Sequence, residues 1–169
     1  MRLGHPPGPI ESPNQSFPRK LGAVTSESTA PSFFSRAGGS EFFDRLVAAF
    51  YRGVRDDEVL APLYPDAPDF EPAARRLSLF LQQYWGGPTT YLEERGHPRL
   101  RMRHFPFHVG PLERDRWLVH MTAAIEEVCA DHPDGDDLAA GLLAYFVPAA
   151  EHLRNDTGLP ITSGTYPRR

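Results

Sequence analysis

Large apolar side chains recur three and four positions apart in successive stretches of the chain, and each stretch predicts an amphipathic helix. In the first, Phe42, Phe43, Leu46, Val47, Phe50 and Val54 follow the Gly38-Gly39 connection, with Ser40 as the expected N-cap. Pro72 opens the next, where Leu77, Phe80, Leu81 and Tyr84 form the expected buried face and Trp85 closes it before Gly86-Gly87-Pro88. Gly110-Pro111 starts a long helix in which Trp117, Met121, Ala124, Ile125 and Val128 share a face. The last runs from Leu138 to Arg154 with Leu142, Leu143, Tyr145, Phe146, Ala149 and Leu153 turned inward and a kink expected at Pro148. Between these lie a turn-rich corner at Ala61 to Pro65, a long polar loop, a mixed segment from Thr89 to His97 that reads as a loop, and a turn at His132 to Gly135. No strand-like alternation, Gly-rich phosphate loop, serine-histidine-acid pattern or internal repeat interrupts this order, so the expected class is all-α.

Outside these stretches the pattern fades. Residues 1–30 carry few large apolar side chains and many Pro, Gly and Ser, which predicts an extension that cannot offset the entropy of ordering. Residues 31–155 form the expected folded domain, and 156–169 a loose tail. With 169 residues and 40% hydrophobic composition, the chain has room for one real core. A net charge of −4 gives no general footprint for nucleic acid or an anionic membrane. Cys129 is the single cysteine, so no intramolecular disulfide can form and a reducing cytoplasm is the expected compartment. The amino terminus shows no apolar signal segment, and the longest apolar run, near residues 142–150, is far short of a membrane span.

Candidate chemistry concentrates in Gly96-His97-Pro98-Arg99-Leu100-Arg101-Met102-Arg103-His104-Phe105-Pro106-Phe107. Pro98 suits the first turn of a helix, and Pro106 is expected to bar the α conformation at Phe105, which confines the helix to about two turns and puts His104 at its C-terminus. There, free carbonyls can fix the tautomer of an imidazole that ligates a metal with its other nitrogen, as an axial haem ligand does. Two other readings stand beside this one: a partly exposed loop histidine, and a zinc site formed with His97 and His108. The zinc set is weakened by the break in helical register at Pro106 and by the lack of a nearby acid. Tyr51 and Trp117 likewise read either as core edges or as O–H and N–H donors facing a cavity.

The ordered set Phe50-Tyr51, Tyr64-Pro65, Tyr84-Trp85-Gly86-Gly87-Pro88, Gly96-His97-Pro98, His104-x-Pro106-Phe107 and Trp117 resembles the truncated haemoglobins of group II over about residues 33 to 155. The resemblance implies a two-over-two helical sandwich holding haem b, with His104 as the proximal iron ligand. It also implies a distal pocket of Tyr51, Tyr64, Ala73, Leu77, Phe80 and Trp117. Ala73 falls where many globins place a distal histidine, so Trp117, Tyr51 and Tyr64 would supply the donors. Arg103, with Arg101 second, is the implied partner of a haem propionate, and Met102, Phe107 and Met121 are implied cofactor contacts. The expected function is reversible binding of dioxygen and other diatomic ligands. Peroxidase-like turnover or nitric oxide dioxygenation at the same haem, which would need a reductase partner, is the first alternative, and a cofactor-free helical interaction module the second. A homodimer is left open by this reading.

Overall fold

The computed structural model describes residues 30–156. Residues 1–29 and 157–169, on which the expected extension and tail fall, lie outside the described residues. Every regular element among those described is helical: α1 Phe33–Ala37, α2 Ser40–Arg55, α3 Glu71–Tyr84, α4 Thr90–Arg95, α5 Leu100–His104, α6 Pro111–Cys129 and α7 Gly135–His152, with a single 3₁₀ turn at Ala61–Leu63. None of them is long and apolar enough to cross a membrane.

The periodic stretches become the four long helices because burying their stripes stabilises by about 2 kcal/mol per large side chain. Phe42, Phe43, Leu46, Val47, Phe50 and Val54 are all buried on α2. α2 packs on both α3 and α6, and α6 packs in turn on α7, so the pairs α2/α3 and α6/α7 cover one another in two layers. Ser40 opens α2 as its first residue, without a side-chain cap, and its hydroxyl donates instead to Gln82 Oε1 at 2.8 Å.

Short helices escaped the pattern because they hold too few turns to show a period. The Ser32 hydroxyl accepts from Ser35 N and starts α1, and Gly38 in the left-handed region (φ 105°) ends it. α4 replaces the loop expected between Thr89 and His97: the Thr89 hydroxyl donates to Glu93, Gln83 Oε1 accepts from Leu92 N, and Tyr91 is buried beside Phe80. Gly87 makes the turn before α4 feasible, since a Cβ there would lie 2.7 Å from the Phe34 ring and 2.8 Å from the Gln82 carbonyl.

One expectation about a helix face needs correction. Tyr84 is 52% exposed rather than buried; it sits at the end of α3 with one side on Tyr145, at 4.2 Å between ring centroids, and the other in solvent. Its place on the inner face is taken by polar Ser78 and Gln82, which are buried because they are satisfied: Ser78 Oγ donates to Asp44, and Gln82 Nε2 donates to Ser78 Oγ at 2.9 Å. Pro148 lies inside α7, which is helical from Gly135 to His152.

Candidate functional site

The segment around His104 is shorter and more sharply turned than the prolines imply. Pro98 lies outside the helix, because Arg99 takes a left-handed conformation (φ 43°) and α5 begins only at Leu100. Phe105 is α-helical (φ −55°, ψ −36°), contrary to the expected bar by Pro106. A following proline disfavours that conformation without forbidding it, and α5 still ends at His104 since Pro106 has no N–H to extend the ladder.

His104 Nδ1 lies 2.8 Å from the Leu100 carbonyl one turn back. A carbonyl can only accept, so the proton belongs on Nδ1 and the Nε2 lone pair is left for a ligand. The neighbours of His104 along the chain are open to solvent. Met102 is 67% exposed and Phe105 81%, and with Arg101 and Leu153 they line a groove of about 280 Å³. Large apolar side chains grouped in solvent are the kind of surface that a hydrophobic group or a partner covers.

Arg103 Nε donates to the Pro98 carbonyl at 2.7 Å and its Nη2 to the Arg95 carbonyl at 2.9 Å, which holds the turn before α5 with two of its five N–H groups. Arg101 is exposed beside the groove. Phe107 is half-buried, and Met121 is fully buried on α6.

Three hydrogen-bond donors on apolar bodies are linked through ring contacts, Tyr51 and Trp117 on Phe50 and Tyr64 on Tyr51. Tyr51 packs edge-on against Phe50 (5.0 Å between centroids) and Tyr64 (5.5 Å), and Trp117 lies 5.1 Å from Phe50 and 5.5 Å from Phe146. α2, the corner after it and α6 thus each contribute one donor. Burial pushes the Tyr51 phenol far above its usual range, with Tyr64 adding to the shift, and burial raises Tyr64 as well, so both keep their O–H. Ala73 is buried, and the half-buried Leu77 and Phe80 pack on the same core. Phe70, which the sequence reading passed over, closes the tyrosine pair at 5.9 Å from Tyr51 and 5.4 Å from Tyr64.

Asp57 was missed too, and it fixes the corner on which Tyr64 stands. Its side chain is fully buried; Oδ1 accepts from Val59 N and Leu60 N, while Oδ2 accepts from Arg116 Nε at 2.9 Å and pairs with His120 Nε2 at 2.6 Å. Arg116 and His120 bracket Trp117 on α6, so this carboxylate ties the helix of the indole to the corner of the phenol. The spacing of those two basic residues, one helical turn apart, was the available signal. Gly53 permits the contact, since a Cβ there would stand 2.3 Å from His120 Nδ1.

The zinc reading finds no support. His97 Nδ1 faces Arg99 N, His108 pairs with Glu113 and Asp156, and among the described residues no three His, Cys, Asp or Glu side chains are placed to hold a metal ion. The imidazole of His104 stands apart from these, with Nδ1 on the Leu100 carbonyl.

Comparison with known proteins identifies the family. The bacterial-like globin family model matches residues 32–149. Group 2 truncated hemoglobin YjbI of Bacillus subtilis is 42% identical over 119 residues, spanning 70% of this chain and 86% of the relative. The thermostable hemoglobin of the actinobacterium Thermobifida fusca superposes with a TM-score of 0.68 at 51% identity, covering 74% of this chain and 98% of that one. The truncated oxygen-avid haemoglobin of Bacillus subtilis does so with a TM-score of 0.66 at 34% identity, over 74% of this chain and all of that one (100%). With its two-over-two helical layers, the chain belongs to the bacterial-like globin family, among the group II truncated haemoglobins.

Proposed function

We propose that this globin holds haem b through His104 and reversibly binds dioxygen and other diatomic ligands on the side of Tyr51, Tyr64 and Trp117. The observation that carries the proposal is the His104 Nδ1–Leu100 carbonyl contact, which occupies one ring nitrogen and leaves Nε2 as the atom to meet a ligand. The residues fit the cofactor: one nitrogen ligand, an exposed apolar flank at Met102 and Phe105, and no competing ligand set among the described residues. When bound, haem supplies an iron centre that takes a diatomic molecule.

The remaining roles fall to the chain. Leu77, Phe80 and Ala73 keep the ligand side apolar and exclude water, and Ala73 leaves open the place where a larger side chain would stand. Tyr51, Tyr64 and Trp117 offer hydrogen bonds to a ligand that draws negative charge. At about 1 to 1.5 kcal/mol net each, two or three such bonds slow dissociation by roughly a hundredfold or more. Arg103, whose contacts to two carbonyls anchor it beside His104 and leave three N–H groups, is the candidate for a propionate, with the exposed Arg101 second. Retention slowed in this way suits oxygen chemistry or sensing, and the buried Cys129 thiol is consistent with a cytoplasmic setting. Peroxidase-like or nitric oxide dioxygenase turnover would need an external electron donor, and sustained turnover with a supplied reductant separates it from reversible binding.

Trp117→Phe tests the donor role. Loss of the indole N–H is expected to raise the dioxygen dissociation rate roughly tenfold, since about 1.4 kcal/mol corresponds to one decade. Carbon monoxide, less polar when bound, should respond less. Equal effects on both gases in stopped-flow dissociation would reduce Trp117 to a space filler between Phe50 and Phe146.

A further inference from the structure

Beyond α7 the chain folds back onto the loop that leaves His104. Asn155 Nδ2 donates to the Phe107 carbonyl at 2.6 Å and to the His104 carbonyl at 3.3 Å, and its Oδ1 accepts from Val109 N at 2.9 Å. The backbone N–H groups of Asn155 and Asp156 both donate to the Val109 carbonyl, at 3.0 and 3.2 Å, and the Asp156 carboxylate pairs with His108 Nε2. One planar amide thus uses both its donors and its acceptor on three backbone groups of a short loop.

α5 needs such support. It is five residues long, too short to hold its shape by its own ladder, and its closing bond from Phe105 N to the Met102 carbonyl is long at 3.4 Å. No side chain caps its N-terminus, where Arg99 is left-handed. We propose that Asn155 is a positioning residue for His104: by gripping the carbonyls of His104 and Phe107 it fixes the end of α5 and with it the direction of the imidazole. The inference rests on His104 being the haem ligand, as proposed above, and adds that this ligand is set by a residue from the far end of the domain.

Asn155→Asp preserves shape but removes both amide donors and brings a carboxylate against two carbonyls, and Asn155→Ala removes the grip without adding charge. Asp156→Ala serves as the control, since it removes the His108 contact and leaves the Asn155 amide in place. Each haem-loaded variant is compared with wild type by the iron–histidine stretching band of the ferrous protein, by haem transfer to an excess of apomyoglobin, and by thermal melting. Both Asn155 variants are expected to shift or broaden the iron–histidine band and speed haem transfer roughly tenfold, while Asp156→Ala lowers the melting temperature and leaves the band in place. A wild-type band and transfer rate in Asn155→Ala, whatever its melting temperature, would overturn the proposal. Failure of the parent reading is distinct, because it appears as an unchanged iron–histidine band in His104→Ala.

Discussion

His104→Ala is expected to abolish tight haem retention. What remains in the variant is apolar burial of the macrocycle, which gives affinity without fixing the iron. The lost metal–imidazole bond is worth several kcal/mol, so haem should leave roughly a hundredfold faster or more. His97→Ala and His108→Ala are expected to retain haem. His97 is exposed and faces Arg99 N, and His108 sits between Glu113 and Asp156. Haem transfer to apomyoglobin and the ferrous spectrum of the three variants check this. A normal imidazole-ligated spectrum in His104→Ala would assign the ligand elsewhere.

Asp57→Ala is expected to cost about 3 to 5 kcal/mol of folding stability, the range for removing one partner of a buried charged set. The loss would leave Arg116 and His120 without their shared carboxylate and the Val59 and Leu60 amides without an acceptor. Burial by itself pushes the Asp57 carboxyl up, but hydrogen bonds from His120, from the Leu60 and Val59 amides and from Arg116 outweigh it and hold it well below the usual carboxylate range. The folded value is depressed, so the stability this group contributes is fully present above its unfolded value of about 4 and is lost as the pH falls below that toward the folded value. Urea midpoints between pH 2.5 and 7 should show an acid limb in the wild type that is flattened in Asp57→Asn. A cost below about 1 kcal/mol for Asp57→Ala would mean that the corner is held by its apolar packing alone.

The large helices were legible because their apolar stripes run for several turns; α2 and α6 appear with the buried faces that their periodicity requires. α1 and α4 were not, since a helix of five or six residues rests on single contacts, such as the Ser32 cap and the Thr89–Glu93 side-chain bond, rather than on a stripe. The position of His104 at the end of a short helix was readable from its flanking prolines, but its start was not, because the left-handed turn falls on Arg99, a residue with no special liking for it. Tyr51, Tyr64 and Trp117 are marked by residue type and by their order along the chain. What the sequence conceals is polar pairing across the fold: Asp57 with His120, Ser78 and Gln82 with Asp44, and Asn155 with the His104 loop are 63, 34, 38 and 51 positions apart, and no periodicity encodes them. Such pairs explain why polar residues occupy inner faces that an apolar pattern assigns to Tyr84.

The absorption spectrum of the purified protein titrated with haem, read in the ferrous state without and with carbon monoxide, tests the central claim most directly. The account predicts saturation at one haem per chain, an intense Soret band and a shift of that band when carbon monoxide is added, all of which are lost or weakened in His104→Ala. A titration without a saturable Soret band, or one that saturates equally in His104→Ala with an unchanged carbon monoxide spectrum, would contradict it.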